Sequence, residues 1–487
     1  MTDTFQGHYI DGEFRMFEGG DAFSSTDPTH NDEHVLTVVE DTESVDEAVW
    51  AARAASKSWR RIGLEGRIDA LRAVQAKVPE HAEGIAAAIT REMGKPIREA
   101  RVEANSIASK IEGVIKQIHH ELPPAPPGAP GEQRFHSLGV VAVIGPFNFP
   151  VHLLNTHIIP ALLTGNAIIA KPSDVTPLCG QRYAALFHDA GFPAGVLNLV
   201  QGRGQTGAAL VEHRGVDGVV FTGSYATGRH IRQATFDMPW KKLSLELGGK
   251  NPAVVLDDAD LDQAVREILL GALLTTGQRC TATSRVIATP GIAPALLERL
   301  ADAFSVICPG DPMDDNTFMG PLAHHAARER FAQILAQAQS EGAQPIVEPQ
   351  FSDAGAFTTA GLYAVTGEEP FLREELFGPH VSFEIAENPA EAFGRAANTP
   401  YGLSAALFSE SLDALEDFYD VVRAGVINFN RSTNGASGLL PFGGTGMSGN
   451  WRPAGSCAPR LSTYPVALMK AEFGHQTPNA ALDAQLR

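Results

Sequence analysis

Between residues 140 and 250 the chain reads VVAVIGPFNFP (140–150), NAIIAKPSD (166–174), GVLNLVQGRGQTG (195–207), GVVFTGSYATG (218–228) and KLSLELGGK (242–250), with helical composition in the intervals. Runs of Val, Ile and Leu that do not alternate with polar residues are strands buried on both faces. Their alternation with helices implies a parallel sheet covered on both sides. Ligands in such sheets bind beyond the carboxyl ends of the strands, so the residues following each run are the candidates for chemistry.

The pattern repeats further on. A long helix, LDQAVREILLGALL, is followed by strand-like SRVIATP, HVSFEIAE, SAALFSE and GVINFN, which predicts a second α/β domain. Toward the N-terminus, HYIDGEF (8–14) predicts a hairpin turning at Asp11-Gly12. Ser44 and Glu47 have the S-x-x-E spacing of a capping box ahead of VDEAVWAARAASKSW. A helical stretch runs from about residue 65 to 120 until LPPAPPGAP (122–130) breaks it, as a surface linker or as the start of an arm reaching a partner subunit.

A chain of 487 residues with 44% hydrophobic and 20% charged residues has the make-up of a globular protein of two or three domains. Its net charge of −19 repels phosphate backbones and anionic lipids, which argues against nucleic-acid or membrane binding. Cys179, Cys280, Cys308 and Cys457 are far apart and form no metal or disulfide pattern, so no metal is expected. No apolar run is long enough to span a bilayer and the N-terminus has no signal-like segment, so a reducing, cytoplasmic location is expected.

Two glycine-rich turns follow strands. Gly202-x-Gly204-x-x-Gly207 has the spacing of a dinucleotide fingerprint, but the acidic residue expected at the end of the next strand is missing. In Gly223-Ser224-Tyr225-Ala226-Thr227-Gly228, Ser224 suits a helix N-cap, and the backbone N–H groups behind it suit a pyrophosphate. Either turn alone could be plain capping; two on neighbouring strands favour a nucleotide. Lys171 and Asp174 follow a third strand, where a carboxylate can accept from ribose hydroxyls and repel a 2′-phosphate, favouring NAD over NADP. Lys171 could equally be a solvated surface lysine.

Cys280 in GQRC is a candidate nucleophile whose pKa Arg279 could lower, although a lone Cys is usually inert core. Glu246 ends an apolar strand, where a carboxylate is costly unless it works as a base or pairs, for instance with Lys250. Asn148 in GPFNFP could donate to an oxyanion or simply shape a turn between prolines.

GPFNFP, AKPSDVTP, FTGS, LELGGKNP, GQRC, EELFGP, NTPYGLSA and PFGG, in this order over nearly the whole chain, resemble the aldehyde dehydrogenase superfamily. The resemblance implies an α/β fold of two Rossmann-like domains with a small β oligomerisation arm. It makes Cys280 the nucleophile, Glu246 the general base and Asn148 the oxyanion donor. It places NAD on Lys171, Asp174, the Gly223–Gly228 turn, Glu375 and Phe377. The implied domains are 1–120 with 140–248 for the dinucleotide and 249–440 for catalysis. Residues 121–139 and 455–487 would form the arm and tail of a homodimer or homotetramer.

Within the superfamily, HLLNTHIIPALLTGN, TTGQRCTA and NFNRSTNGASGLLPFGGTGMSGNWRP are most similar to the branch acting on succinylglutamate semialdehyde in arginine catabolism. Gly446 and Asn450-Trp451-Arg452-Pro453 set this segment apart from most of the superfamily. Asp174 stands where Glu is usual, and Phe147 and Phe429 where Tyr or Trp is more common, so the pocket's shape should differ. An anionic aldehyde calls for arginine, and Arg279, Arg431 and Arg452 flank the catalytic motifs. Another semialdehyde or an aliphatic aldehyde, a thioester passed to coenzyme A, or a non-catalytic protein on the same fold are the alternative readings.

Overall fold

The five apolar runs of 140–250 form the parallel part of one seven-stranded sheet in a computed structural model that describes residues 3–17, 19–30, 33–451 and 454–486. From one edge the order is Lys242–Glu246, Gly218–Thr222, Val140–Ile144, Ala167–Lys171 and Leu197–Leu199, all parallel. The strand His8–Ile10 then pairs antiparallel with Leu197–Leu199 through Tyr9, and Glu13–Arg15 closes the sheet as the second arm of a hairpin. That hairpin turns on Asp11 (φ 54°) and Gly12 (φ 84°), the pair of positive φ angles that a two-residue turn of matching twist requires.

The chain lays down Val140–Ile144, moves outward on one side, then returns to its other side with Gly218–Thr222. The strand order therefore reverses at Val140–Ile144, which opens a crevice at its carboxyl end. Alternate residues of this strand enter different cores. Val141 and Val143 pack with Trp59 and the long N-terminal helices, while Val140, Ala142 and Ile144 pack under Val216, Val219 and Leu210.

The helical stretch of 65–120 is two helices, Gly63–Met93 and Ile97–Glu121, packed along one another. The break is at Gly94, whose φ of 72° allows its N–H to close onto the Thr90 carbonyl at 2.9 Å, and at Pro96, which cannot continue the preceding helix. The expected capping box at Ser44 and Glu47 does not form. The helix Glu43–Arg61 starts earlier, and Asp41 caps it instead, accepting the Glu43 N–H at 2.6 Å and, through its carbonyl, the Ser44 hydroxyl at 2.5 Å. Ser44 is thus a buried first-turn residue.

The second seven-stranded sheet runs Gln344–Val347, Gly361–Ala364, His380–Ile385, Thr283–Ala288, Asn251–Val255, Ser404–Phe408, Val426–Phe429; all pairs are parallel except the first. Its two faces also carry separate cores. The fold is thus mixed α/β with two largely parallel sheets. Outside them, Gly131–Ser137 and Thr463–Met469 pair antiparallel from Ser137↔Thr463 to Gly131↔Met469, with no third strand among the described residues. Among the described residues no helix is long and apolar enough to cross a membrane.

Candidate active site

The carboxyl ends of the first sheet open into a cavity of about 870 Å³ that the second domain closes. Asn148 reaches it from beyond Val140–Ile144, Lys171 and Asp174 from beyond Ala167–Lys171, Gly223 and Ser224 from beyond Gly218–Thr222, and Glu246 from the end of its own strand. Cys280, Glu375 and Phe377 come from the other domain.

Cys280 sits on a strained loop. The helix Leu261–Leu273 runs into the tight turn Leu274–Gly277, where Thr275 (φ 54°), Thr276 (φ 56°) and Gly277 (φ 68°) are successive left-handed residues. Two β-branched residues there cost on the order of 1–3 kcal/mol each and persist only if the surroundings fix them. Glu99 accepts the Thr275 N–H at 3.3 Å and its hydroxyl at 2.8 Å, Gly320 accepts the Thr276 hydroxyl at 3.0 Å, and Gln278 accepts the Ala323 N–H at 2.9 Å. Gly277 allows the Gly378 carbonyl to approach where a Cβ would stand. Gly277→Ala is therefore expected to destabilise the protein by more than about 1–3 kcal/mol. Chemical denaturation checks this, and an unchanged midpoint would show that the loop can relax.

The half-buried Cys280 thiol is pushed up to about 12, first by burial, then by the negative charges of Glu375 and Glu246. Arg279 does not act on it as expected from sequence. Its guanidinium is spent on Glu99 at 2.7 Å and the Thr275 hydroxyl at 3.0 Å, and it lies 5.1 Å over the Phe149 ring. The thiol therefore needs a nearby proton acceptor to become a nucleophile.

Glu246 is buried, and its Oε2 has no hydrogen-bond partner in the protein. Burial holds its carboxyl well above the usual range, and the Ala454 N–H only partly offsets that. The alternative ion pair with Lys250 is not made. The Lys250 ammonium is itself buried without a partner, 5.3 Å over the Phe371 ring, and burial lowers it to about 7. Asn148 is also buried. Its carbonyl accepts from Lys95 at 2.6 Å, and one Nδ2 hydrogen goes to the Gln278 carbonyl at 2.9 Å. The amide nitrogen has a second hydrogen to offer.

The family model for the aldehyde dehydrogenase family matches residues 14–461. The chain belongs to the aldehyde dehydrogenase family. It is 38% identical over 480 residues to the N-succinylglutamate 5-semialdehyde dehydrogenase of Burkholderia thailandensis, covering 97% of each chain. It is similar to the structure of an NAD-dependent aldehyde dehydrogenase from Sinorhizobium meliloti, with a TM-score of 0.93, 30% identity and coverage of 98% of this chain and 96% of that one. It is likewise similar to aldehyde dehydrogenase C from Pseudomonas syringae, solved with NAD+ and octanal, with a TM-score of 0.91, 29% identity and coverage of 96% and 98%.

An aldehyde dehydrogenase needs a dinucleotide site, and the cavity wall fits one. Ser224 caps the helix Tyr225–Ala234 by accepting the Thr227 N–H at 3.2 Å, and Gly223 lies where a Cβ would meet the Phe221 ring at 2.5 Å. Gly223, Ser224 and Thr227 face the cavity, whereas Tyr225 and Ala226 do not line it and Gly228 packs on Leu247. Lys171 is not a solvated surface residue. It is buried, its ammonium donates to the Pro172 carbonyl at 3.1 Å, and burial lowers its pKa. Asp174 is exposed at the cavity. Glu375 accepts the Gly249 N–H at 2.9 Å with its carboxyl pushed up to about 7 by burial, and Phe377 holds a φ of 57° with its ring against Phe147.

The other glycine turn lines the same cavity through Arg203, Gly204 and Gly207. The acid missing from its fingerprint is supplied by a distant hairpin, for Glu40 accepts the Arg203 N–H at 2.6 Å and its Nε at 2.7 Å. His324 and Arg330, at the start of the helix His325–Ser340, also line the cavity and carry no motif that would have marked them. Of the three candidate arginines, none lines this cavity among the described residues. Arg279 is held by Glu99, Arg431 is exposed, and Arg452 lies outside the described residues.

Proposed function

We propose that the protein oxidises an anionic aldehyde, N-succinylglutamate 5-semialdehyde in arginine catabolism, to the acid with NAD. What supports this most directly is one cavity that holds a half-buried Cys280, a buried Glu246 with a free carboxylate oxygen, and Asn148. A nicotinamide dinucleotide held by the two glycine turns, Lys171, Asp174, Glu375 and Phe377 supplies the hydride acceptor. Asp174 would repel a 2′-phosphate, and the charge of Arg203 is already matched by Glu40.

The protein's own residues do the rest. Glu246, when ionised, takes the thiol proton as Cys280 Sγ bonds to the aldehyde carbon. The second Asn148 amide hydrogen and the Cys280 N–H hold the oxyanion. Loss of hydride from the carbon leaves a thioester on Cys280. Glu246 then takes a proton from the attacking water, the C–S bond breaks, and the acid departs. An intact Glu246 favours water over coenzyme A as the acyl acceptor.

The ribbon of Gly131–Ser137 and Thr463–Met469 is a two-stranded element of a kind that is marginal alone, which supports a role as the arm of a homodimer or homotetramer. The four cysteines are free, as a reducing cytoplasm would keep them. The deciding experiment measures kcat/KM with NAD and NADP for succinylglutamate semialdehyde beside glutamate, succinate and aliphatic semialdehydes or aldehydes. Equal values for charged and neutral aldehydes would remove the substrate assignment.

A further inference from the structure

The helix Ile97–Glu121 flanks Asn148 and the Cys280 loop, and basic side chains gather along that flank. Most of them are matched. Lys95 pairs with Glu103 at 2.5 Å and donates to the Asn148 carbonyl at 2.6 Å. Arg279 pairs with Glu99 at 2.7 Å. His152 Nδ1 shares a hydrogen bond of 2.9 Å with Ser106, its ring contacts Phe149, and burial together with its basic neighbours lowers its pKa. His157, further along the same helix, is lowered to about 3 by burial, then by Lys110 and His152. Both imidazoles are therefore neutral near pH 7.

Lys110 is the exception. It lies one helical turn past Ser106 on the same face, close enough to oppose protonation of both histidines. It is half-buried, and no carboxylate or hydrogen-bond acceptor among the described residues meets its ammonium. Burial lowers it to about 8, so it is still mostly charged at pH 7. A partly desolvated cation without a counter-ion is costly, whereas its matched neighbours show that this helix can supply carboxylates where they are wanted.

We propose that Lys110 is the counter-ion for a carboxylate of the aldehyde substrate, remote from the carbon that Cys280 attacks. The inference rests on the reading of Cys280 as nucleophile and of the substrate as anionic. It replaces the arginines suggested by sequence with a lysine, and leaves Arg279, balanced by Glu99 and lying over Phe149, as wall rather than anchor. The helix rises roughly 10 Å between Glu103, which holds Lys95 and hence Asn148, and Lys110. An extended aldehyde with its carboxylate several bonds from the reacting carbon is therefore favoured over a short one.

The test uses the full chain and steady-state kinetics with succinylglutamate semialdehyde, succinate semialdehyde and hexanal. K110M is expected to raise KM for succinylglutamate semialdehyde about tenfold or more. Its kcat, its KM for hexanal and its affinity for NAD should stay within about twofold, and K110R should recover most of the loss. K110Q is run alongside, so that a loss of fold in one neutral variant leaves the comparison standing. If the wild-type protein prefers the anionic aldehyde and both neutral variants keep that preference, Lys110 is not the anchor and the functional reading stands. If the wild-type protein shows no preference for the anionic aldehyde, both fall.

Discussion

Cys280→Ala is expected to lower NADH formation from any aldehyde by on the order of 10⁴-fold or more while dinucleotide binding persists. The loss should be this large because no other thiol can substitute. Cys179 is fully buried, with its thiol raised well above the ordinary range by burial and Glu92, and neither exposed Cys308 nor Cys457 lines the cavity. Binding should persist because the side chain removed is not part of either glycine turn. The loop itself is held through Thr275, Thr276, Gln278 and the Cys280 carbonyl, which accepts from Asn251 at 2.8 Å, and none of these contacts uses the sulfur. Turnover in a single-wavelength NADH assay and dinucleotide affinity by calorimetry separate the two effects. Substantial residual turnover would mean that the thioester route is wrong.

Glu246→Gln should release about one NADH per site in a rapid burst and then stall, with steady-state turnover reduced by roughly 10²–10⁴-fold. Glutamine keeps the volume of the buried side chain but cannot take a proton from water. The same residue sets a pH dependence. Its carboxyl is raised by burial, so at low pH it is protonated and cannot act as a base; the ionised form, and with it the deacylation rate, grows as pH climbs through that raised value. The wild-type rate is therefore expected to keep rising above the range in which an exposed carboxylate is already fully ionised, and the variant should lose that limb. Stopped-flow traces across pH measure both. Undiminished steady-state turnover in the variant would assign the base elsewhere.

Both expectations depend on keeping an uncompensated charge out of water. Glu246, Lys250 and Lys171 are all buried without a carboxylate–ammonium pair, although two of the three lie within the single segment LELGGK. Residues close in sequence at a strand end point in different directions as the chain turns through Gly248 and Gly249. This is why spacing alone suggested a Glu246–Lys250 pair that the fold does not make.

The sequence by itself determined the class of the fold and the chemical identity of the site. Unbroken Val/Ile/Leu runs can only be buried on both faces, and in a parallel sheet that fixes where their carboxyl ends, and so Asn148, Lys171, Gly223 and Glu246, must point. Periodicity is a local property and survives being read one segment at a time. What only the tertiary structure decided is which side chains meet across long separations. Glu40 completes the glycine turn at Arg203 from far upstream, Glu99 takes the charge of Arg279 away from Cys280, and Asp41 rather than Ser44 caps its helix. The sign of an electrostatic effect depends on these partners and on burial, and neither is written in local pattern. The same reason hid Lys110: a lysine within an ordinary helical stretch acquires meaning only when the fold buries it beside neutral histidines and gives it no acid.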